Sequence, residues 1–132
     1  MTTWMLIEDE PDLYDMLTHM IESIGHRVQG FIDAESALAW LRSVERGEED
    51  EELPELALID IRLPGKVDGT EVAVKLRASK TLSDIVIVLM TAYRLSPEEE
   101  TAILQQSAPD MMLYKPLPSF PVFRQKLEDL LM

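Results

Sequence analysis

The chain has no cysteine, which excludes disulfides, thiolate metal sites and a cysteine nucleophile. Basic residues are scarce: 12 Lys and Arg stand against 25 Asp and Glu, for a formal charge of −13. A protein that neutralises phosphate backbones needs a cationic face, so direct nucleic-acid contact is not expected. The start, Met1-Thr2-Thr3-Trp4, lacks the basic segment of a signal peptide, and its apolar run stops at Glu8-Asp9-Glu10. No stretch approaches the roughly 18 apolar residues of a membrane span. Internal repeats and linkers are missing too. What is there is 132 residues, 46% of them apolar. That suits one globular domain, 1–132, within the common range of about 100–150 residues. The expected setting is soluble and cytoplasmic, with no membrane contact.

The apolar residues fall into two kinds of run. Trp4-Met5-Leu6-Ile7, Leu56-Ala57-Leu58-Ile59, Ile85-Val86-Ile87-Val88-Leu89-Met90 and Met111-Met112-Leu113-Tyr114 are continuous and 4 to 6 residues long. Too short for helices, they read as strands buried on both faces, as in a parallel sheet covered by helices. Arg27 to Phe31 is a weaker strand. Between them, Leu13, Met16, Leu17, Met20, Ile21 and Ile24 form one stripe of an amphipathic helix, with Pro11 in its first turn and Gly25 at its end. Ala34, Ala37, Leu38 and Leu41 give a second stripe, Val72, Ala73 and Leu76 a third, and Ala102 to Leu104 a short fourth. Phe120, Phe123, Leu127, Leu130 and Leu131 give the last, with Ser119 placed to cap it and Pro121 tolerated in its first turn. Methionines at helical spacing read as core filler, and His19 and His26 as helix-surface and turn residues. Strand then helix, five times over, is a (βα)5 doubly wound five-stranded parallel α/β sheet. The acidic run Glu48-Glu49-Asp50-Glu51-Glu52 reads as a solvated, mobile loop, with partner docking as the alternative.

In such sheets ligands bind outside the carboxyl ends of the strands, where the strand order reverses. The residues following each strand are therefore the candidates. Glu8, Asp9 and Glu10 follow the first; Asp60, then Arg62, Pro64, Gly65, Asp68 and Gly69, follow the third. Thr91 and Ala92 follow the fourth, and Lys115-Pro116 the fifth. Acids, a hydroxyl and an amine thus converge on one rim, which suits a hard cation beside a phosphoryl group. Carboxylates hold Mg²⁺ while leaving room for phosphate oxygens, and Thr and Lys hydrogen-bond and charge-pair those oxygens. Clustered acids repel, so without metal at least one pKa is expected to rise. Plainer readings stand beside these: Asp60 as a cap or turn residue, Thr91 as a loop cap, Lys115 as a surface lysine. Glu10 and Asp12 suit the positive end of the first helix, so the metal is assigned to Glu8 and Asp9 only. Asp68-Gly69 is a turn signal and is given no chemistry.

Four motifs in order, Ile7-Glu8-Asp9-Glu10-Pro11-Asp12, Asp60-Ile61-Arg62-Leu63-Pro64-Gly65 with Asp68-Gly69, Met90-Thr91-Ala92 and Lys115-Pro116, resemble the receiver domain of two-component response regulators. The resemblance runs from Trp4 to Leu131. It implies a CheY-like, flavodoxin-like fold and a Mg²⁺-dependent phosphoacceptor, Asp60, charged by a histidine kinase or a phosphotransfer protein. It also implies that Glu8, Asp9, Asp60 and the backbone carbonyl of Arg62 hold Mg²⁺, that Thr91 and Lys115 contact the phosphoryl oxygens, and that a cis Lys115–Pro116 bond aims the amine. Such a chain is a phosphoacceptor rather than a turnover enzyme. It signals to a downstream protein or output domain through the surface of its fourth helix, fifth strand and fifth helix, where a homodimer could also form. Both a stand-alone regulator and a piece of a longer one fit. A degenerate receiver that binds partners without phosphorylation is the alternative. A haloacid-dehalogenase-type phosphohydrolase wants a second carboxylate two residues after its nucleophile, and Arg62 occupies that place.

The chain departs from the family pattern in several places. Its first acid is Glu8 where Asp is more usual, and the loop Pro64 to Gly69 is one residue longer. Met112 stands where the aromatic switch residue is usual, three before the lysine; the nearby Tyr114 is expected on the opposite face of its strand. Two positions that govern phosphoryl lifetime in the family carry the large side chains Arg62 and Tyr93, expected to lean over the site and obstruct an attacking water.

Overall fold

The computed structural model describes residues 2–48 and 52–132. In chain order they form β1 (Thr3–Ile7), α1 (Pro11–Ser23), β2 (Arg27–Phe31), α2 (Ala34–Glu45), β3 (Leu56–Asp60), α3 (Gly69–Ala78), β4 (Val86–Thr91), α4 (Pro97–Ser107), β5 (Met111–Tyr114) and α5 (Phe120–Leu130). The strands pair in parallel in the order β2-β1-β3-β4-β5. This is the five-stranded doubly wound sheet expected from the alternation of strand and helix patterns. The order reverses between β1 and β3, so the carboxyl ends of those two strands meet at the crevice where open sheets bind ligands.

Every residue of β1 and β3 is buried, because helices cover both faces of the sheet. On one face Met5, Ile7, Ala57, Ile59, Ile87 and Leu89 pack against α2 and α3. On the other, Trp4, Leu6, Leu58, Val88 and Met90 pack against Leu17, Met20 and Ile21 of α1 and Phe123 and Leu127 of α5. Strict alternation of side chains along each strand feeds the two layers, so a one-residue slip would invert both. β2 and β5 are the edges, which is why Arg27 to Phe31 shows the weakest apolar pattern.

The local sequence sets the helix starts. Glu10 accepts from the Asp12 and Leu13 N–H groups and caps α1, with Pro11 following where its missing N–H costs nothing. Asp33 caps α2 through the Ser36 N–H, and its carboxyl is held below its ordinary pKa by that bond. Ser96 and Glu99 form a reciprocal capping box on α4.

Five expectations need correction. Met16, placed in the α1 stripe as core filler, is 57% exposed. Ser119 precedes α5 but makes no side-chain capping bond. The short stripe Ala102 to Leu104 does not exist as a buried face: Ala102 and Leu104 are exposed and only Ile103 turns inward, as three consecutive residues span most of a helical turn. Tyr114 is not on the face opposite Met112; Leu113 enters the α1/α5 layer while Met112 enters the other, and a period of two returns Tyr114 to Met112's side. Phe120, expected in the buried stripe of the last helix, is 44% exposed. Of the acidic run 48–52, residues 49–51 lie outside the described residues; Glu48 pairs with Arg46 at 2.8 Å.

Candidate functional site

The rim at the carboxyl ends of β1, β3, β4 and β5 gathers the predicted residues. Asp60 is the last residue of β3 and 5% exposed. Glu8 follows β1 and is fully buried, while its neighbour Asp9 is exposed. One carboxylate oxygen each from Glu8, Asp9 and Asp60 lies within 4.8 Å of the others. Lys115 reaches in from the end of β5, its Nζ donating to Glu8 Oε1 at 2.7 Å and to Asp60 Oδ2 at 2.9 Å. The Lys115–Pro116 peptide bond is cis. Residues 8, 60 and 115 are thus bound into one charged cluster by a sheet that places β1, β3 and β5 ends on the same side.

Burial is the main reason that the Glu8 carboxyl sits above its ordinary pKa; Lys115 and the Glu10 N–H pull it down, and Asp60 pushes it up again. A rise in one acid was expected, but desolvation leads and repulsion from Asp60 is the smaller contribution. For Lys115 burial acts the other way, lowering the ammonium, yet the hydrogen bonds and charges of Glu8 and Asp60 outweigh it and its pKa is raised. The amine is therefore a fixed cation facing Asp60.

Backbone bonds lock the rim. The Glu8 N–H donates to the Phe31 carbonyl at 3.1 Å, the Ile61 N–H to Met90 at 2.8 Å and the Lys115 N–H to Thr91 at 2.8 Å. Glu8 Oε2 and Asp60 Oδ1 accept from the Glu10 and Arg62 N–H groups, each at 3.1 Å. Thr91 is fully buried, and its Oγ1 accepts from the Tyr93 N–H at 3.1 Å, so the loop-capping role is real and leaves the hydroxyl proton free to donate. The Arg62 guanidinium lies 4.5 Å from the centre of the Tyr93 ring, a cation–π pair that joins the loops after β3 and β4. Met112 pairs across the ladder with Leu89 and is half-buried in the core.

One positioning residue escaped the sequence reading. A Cβ on Gly69 would collide with the Asp60 carbonyl oxygen and the Ile59 side chain, so α3 can start against β3 only with glycine there. Asp68 caps that helix through the Glu71 N–H at 3.1 Å. The Asp-Gly pair carried the signal, but the same pair marks many ordinary turns.

A parallel (βα)5 sheet whose switch point carries three acids, a buried threonine and a lysine defines a signal-receiver type of domain. A model of the response regulator receiver domain matches residues 5–125, and the chain belongs to that family, whose members serve phosphoacceptor signal transduction in two-component systems. It is 30% identical to the probable methanogenesis regulatory protein FilR2 of Methanothrix harundinacea over 96% of this chain and 79% of that protein. It is 35% identical to the cyclic di-GMP phosphodiesterase response regulator RpfG of Xanthomonas campestris over 75% of the chain, which spans only 24% of RpfG. Among solved structures, the response regulator TrrA of Thermotoga maritima in complex with Mg²⁺-BeF is 26% identical, with a TM-score of 0.76 over 98% of this chain and 99% of that one. A CheY-like receiver domain from Methanospirillum hungatei shares the fold at 22% identity and a TM-score of 0.77, over 98% of this chain and 94% of that one. No helix among the described residues is long and apolar enough to cross a membrane.

Proposed function

We propose that the chain, as a single receiver unit, accepts a phosphoryl group on Asp60 from a histidine kinase or phosphotransfer protein. The observation that carries this reading is the convergence of Lys115 Nζ at 2.9 Å from Asp60 Oδ2 with the Glu8, Asp9 and Asp60 carboxylates within 4.8 Å. An Asp60 oxygen attacks phosphorus, the bond to the donor nitrogen breaks, and an acyl phosphate results. Lys115 pairs with the negative oxygens and Thr91 donates its free hydroxyl proton to one of them. The donor set is all oxygen and partly open to solvent through Asp9, which fits Mg²⁺; Glu8, Asp9, Asp60 and the Arg62 carbonyl would hold it. A bound divalent cation supplies charge neutralisation for an anionic nucleophile meeting an anionic donor. The Mg²⁺-BeF complex of TrrA supports the assignment.

The product state acts through the face of α4, β5 and α5, on a downstream protein, an output domain or a second copy of the chain. Arg62 and Tyr93, stacked on each other, screen the acyl phosphate from water and lengthen its lifetime. Phosphoryl loss is therefore faster in Arg62→Ala and in Tyr93→Ala than in the parent, and equal half-lives would rule the screen out.

Incubation with acetyl phosphate and Mg²⁺, followed by intact mass, tests the main reading. The parent gains one phosphoryl group and Asp60→Asn gains none. A parent that gains none is the degenerate receiver instead, a reading favoured by Met112 in the switch position.

A further inference from the structure

The two ends of α4 are held unequally. Its first turn is capped from within: Ser96 and Glu99 accept from each other's N–H groups. Ala92 to Arg94, which lead to it from Thr91, are exposed. Its last turn carries Ser107, the only residue of α4 that is buried, and runs up to the guanidinium of Arg77 on α3. The Arg77 Nε and Nη2 both donate to the Ala108 carbonyl, at 3.1 and 2.9 Å. Nη2 also pairs with Asp110 Oδ2 at 2.8 Å, and Nη1 donates to the Ser83 and Ile85 carbonyls at 2.9 and 2.5 Å. Asp110 Oδ2 in turn accepts from the Ile87 N–H at 2.8 Å. One side chain thus ties the end of α4 to α3, to the segment entering β4 and to the residue before β5.

Ala108 follows the helix at φ 45 and is the one non-glycine residue at positive φ among the described residues. Such a backbone disfavours a side chain and persists where the surroundings over-determine it. Two charge-assisted hydrogen bonds on the Ala108 carbonyl supply that constraint, together with the bond from its N–H to the Leu104 carbonyl at 3.0 Å. The other end has no counterpart. Among the described residues, nothing outside Ser96–Ser107 hydrogen-bonds to residues 96–103.

We propose that Arg77 is a positioning residue that pins the C-terminal end of α4, so that phosphorylation swings the helix about Ala108 while its rim-side end moves. The swing rests on the phosphoacceptor reading of Asp60; the pin does not.

With no cysteine in the chain, paired spin labels report on each end separately. Glu98→Cys and Gln105→Cys are each combined with Glu22→Cys on α1, all three positions being exposed. Electron–electron distances are read before and after acetyl phosphate and Mg²⁺, with intact mass checking phosphoryl gain. At about 1.5 Å of rise per residue, position 98 stands about 15 Å from Ala108 and position 105 about 4.5 Å, so a swing moves 98 about three times as far. In the parent the 98 distance shifts and the 105 distance hardly does, and before phosphorylation the 105 distribution is the narrower. In Arg77→Gln the 105 distribution broadens to match 98, and both distances then shift alike. Arg77→Lys keeps a cation beside Asp110 but lacks the planar fork, and it broadens 105 as well. Equal shifts at 98 and 105 in a phosphorylated parent, or none, overturn the proposal. So does a narrow, parent-like 105 distribution in folded Arg77→Gln or Arg77→Lys. A parent that gains no phosphoryl group overturns the reading of Asp60 and the swing with it, and the 105 widths then decide the pin.

Discussion

Glu8 and Asp9 are neighbours in sequence with opposite surroundings. The first is fully buried against Lys115 and Asp60 and the second faces solvent, so a carboxylate pair offers one anchored and one accessible oxygen set to the same point. Such residues were legible in the sequence because few roles demand acids, a hydroxyl and an amine at four strand ends together. Gly69 was not legible, because its need is steric and arises from contact with Asp60, nine residues earlier in the chain and in a different element. Alanine there forces the start of α3 away from β3. Gly69→Ala is expected to lose about 1–3 kcal/mol, as overpacking of a tight contact does, and to slow phosphorylation by displacing Asp60 from Lys115. Urea midpoints and the rate of phosphoryl gain from acetyl phosphate check this. An unchanged midpoint together with an unchanged rate contradicts it.

Among the elements, the helices differ in how firmly they are held. α1 buries Leu17, Met20 and Ile21, and α3 buries five residues, while α4 buries only Ser107. The first and third stripes were plain in the sequence; the fourth was misread because α4 has too few inward residues to make a pattern. Its C-cap, Ala108, is in the left-handed region with φ 45, where a side chain is disfavoured. Weak burial makes α4 the helix that can shift at least cost, in keeping with its place on the proposed output face. Amide hydrogen exchange is expected to be fastest in α4 among the helices and slowest in β1 and β3; protection of α4 equal to that of α3 contradicts this. Capping carries a pH signature. The Asp33 carboxyl has its pKa lowered by the Ser36 N–H bond, so its stabilising effect is present above the unfolded carboxylate value and is lost as pH falls through the folded one. Asp33→Ala therefore costs about 1 kcal/mol at neutral pH, and the gap to the parent closes in acid. Thermal melts from neutral to acidic pH measure it, and a gap independent of pH counts against an ionised cap.

For the whole molecule, the parallel sheet between two helical layers followed from apolar runs that read as doubly buried strands, since such a sheet has no polar face to alternate with. Tyr114 was assigned the wrong face although it stands two residues after Met112, a spacing that returns a strand side chain to the same side. The fold brings residues 8, 60, 91 and 115 to one edge although they span most of the chain, and the account stands on that edge accepting phosphorus at one atom group. Borohydride reduction of the chain after acetyl phosphate treatment converts an aspartyl phosphate to homoserine, and peptide mapping locates it. With Mg²⁺ present, homoserine is expected at position 60 and nowhere else, and without Mg²⁺ in far smaller yield. Homoserine at another aspartate, or none at 60 in the folded chain with Mg²⁺, would contradict the account.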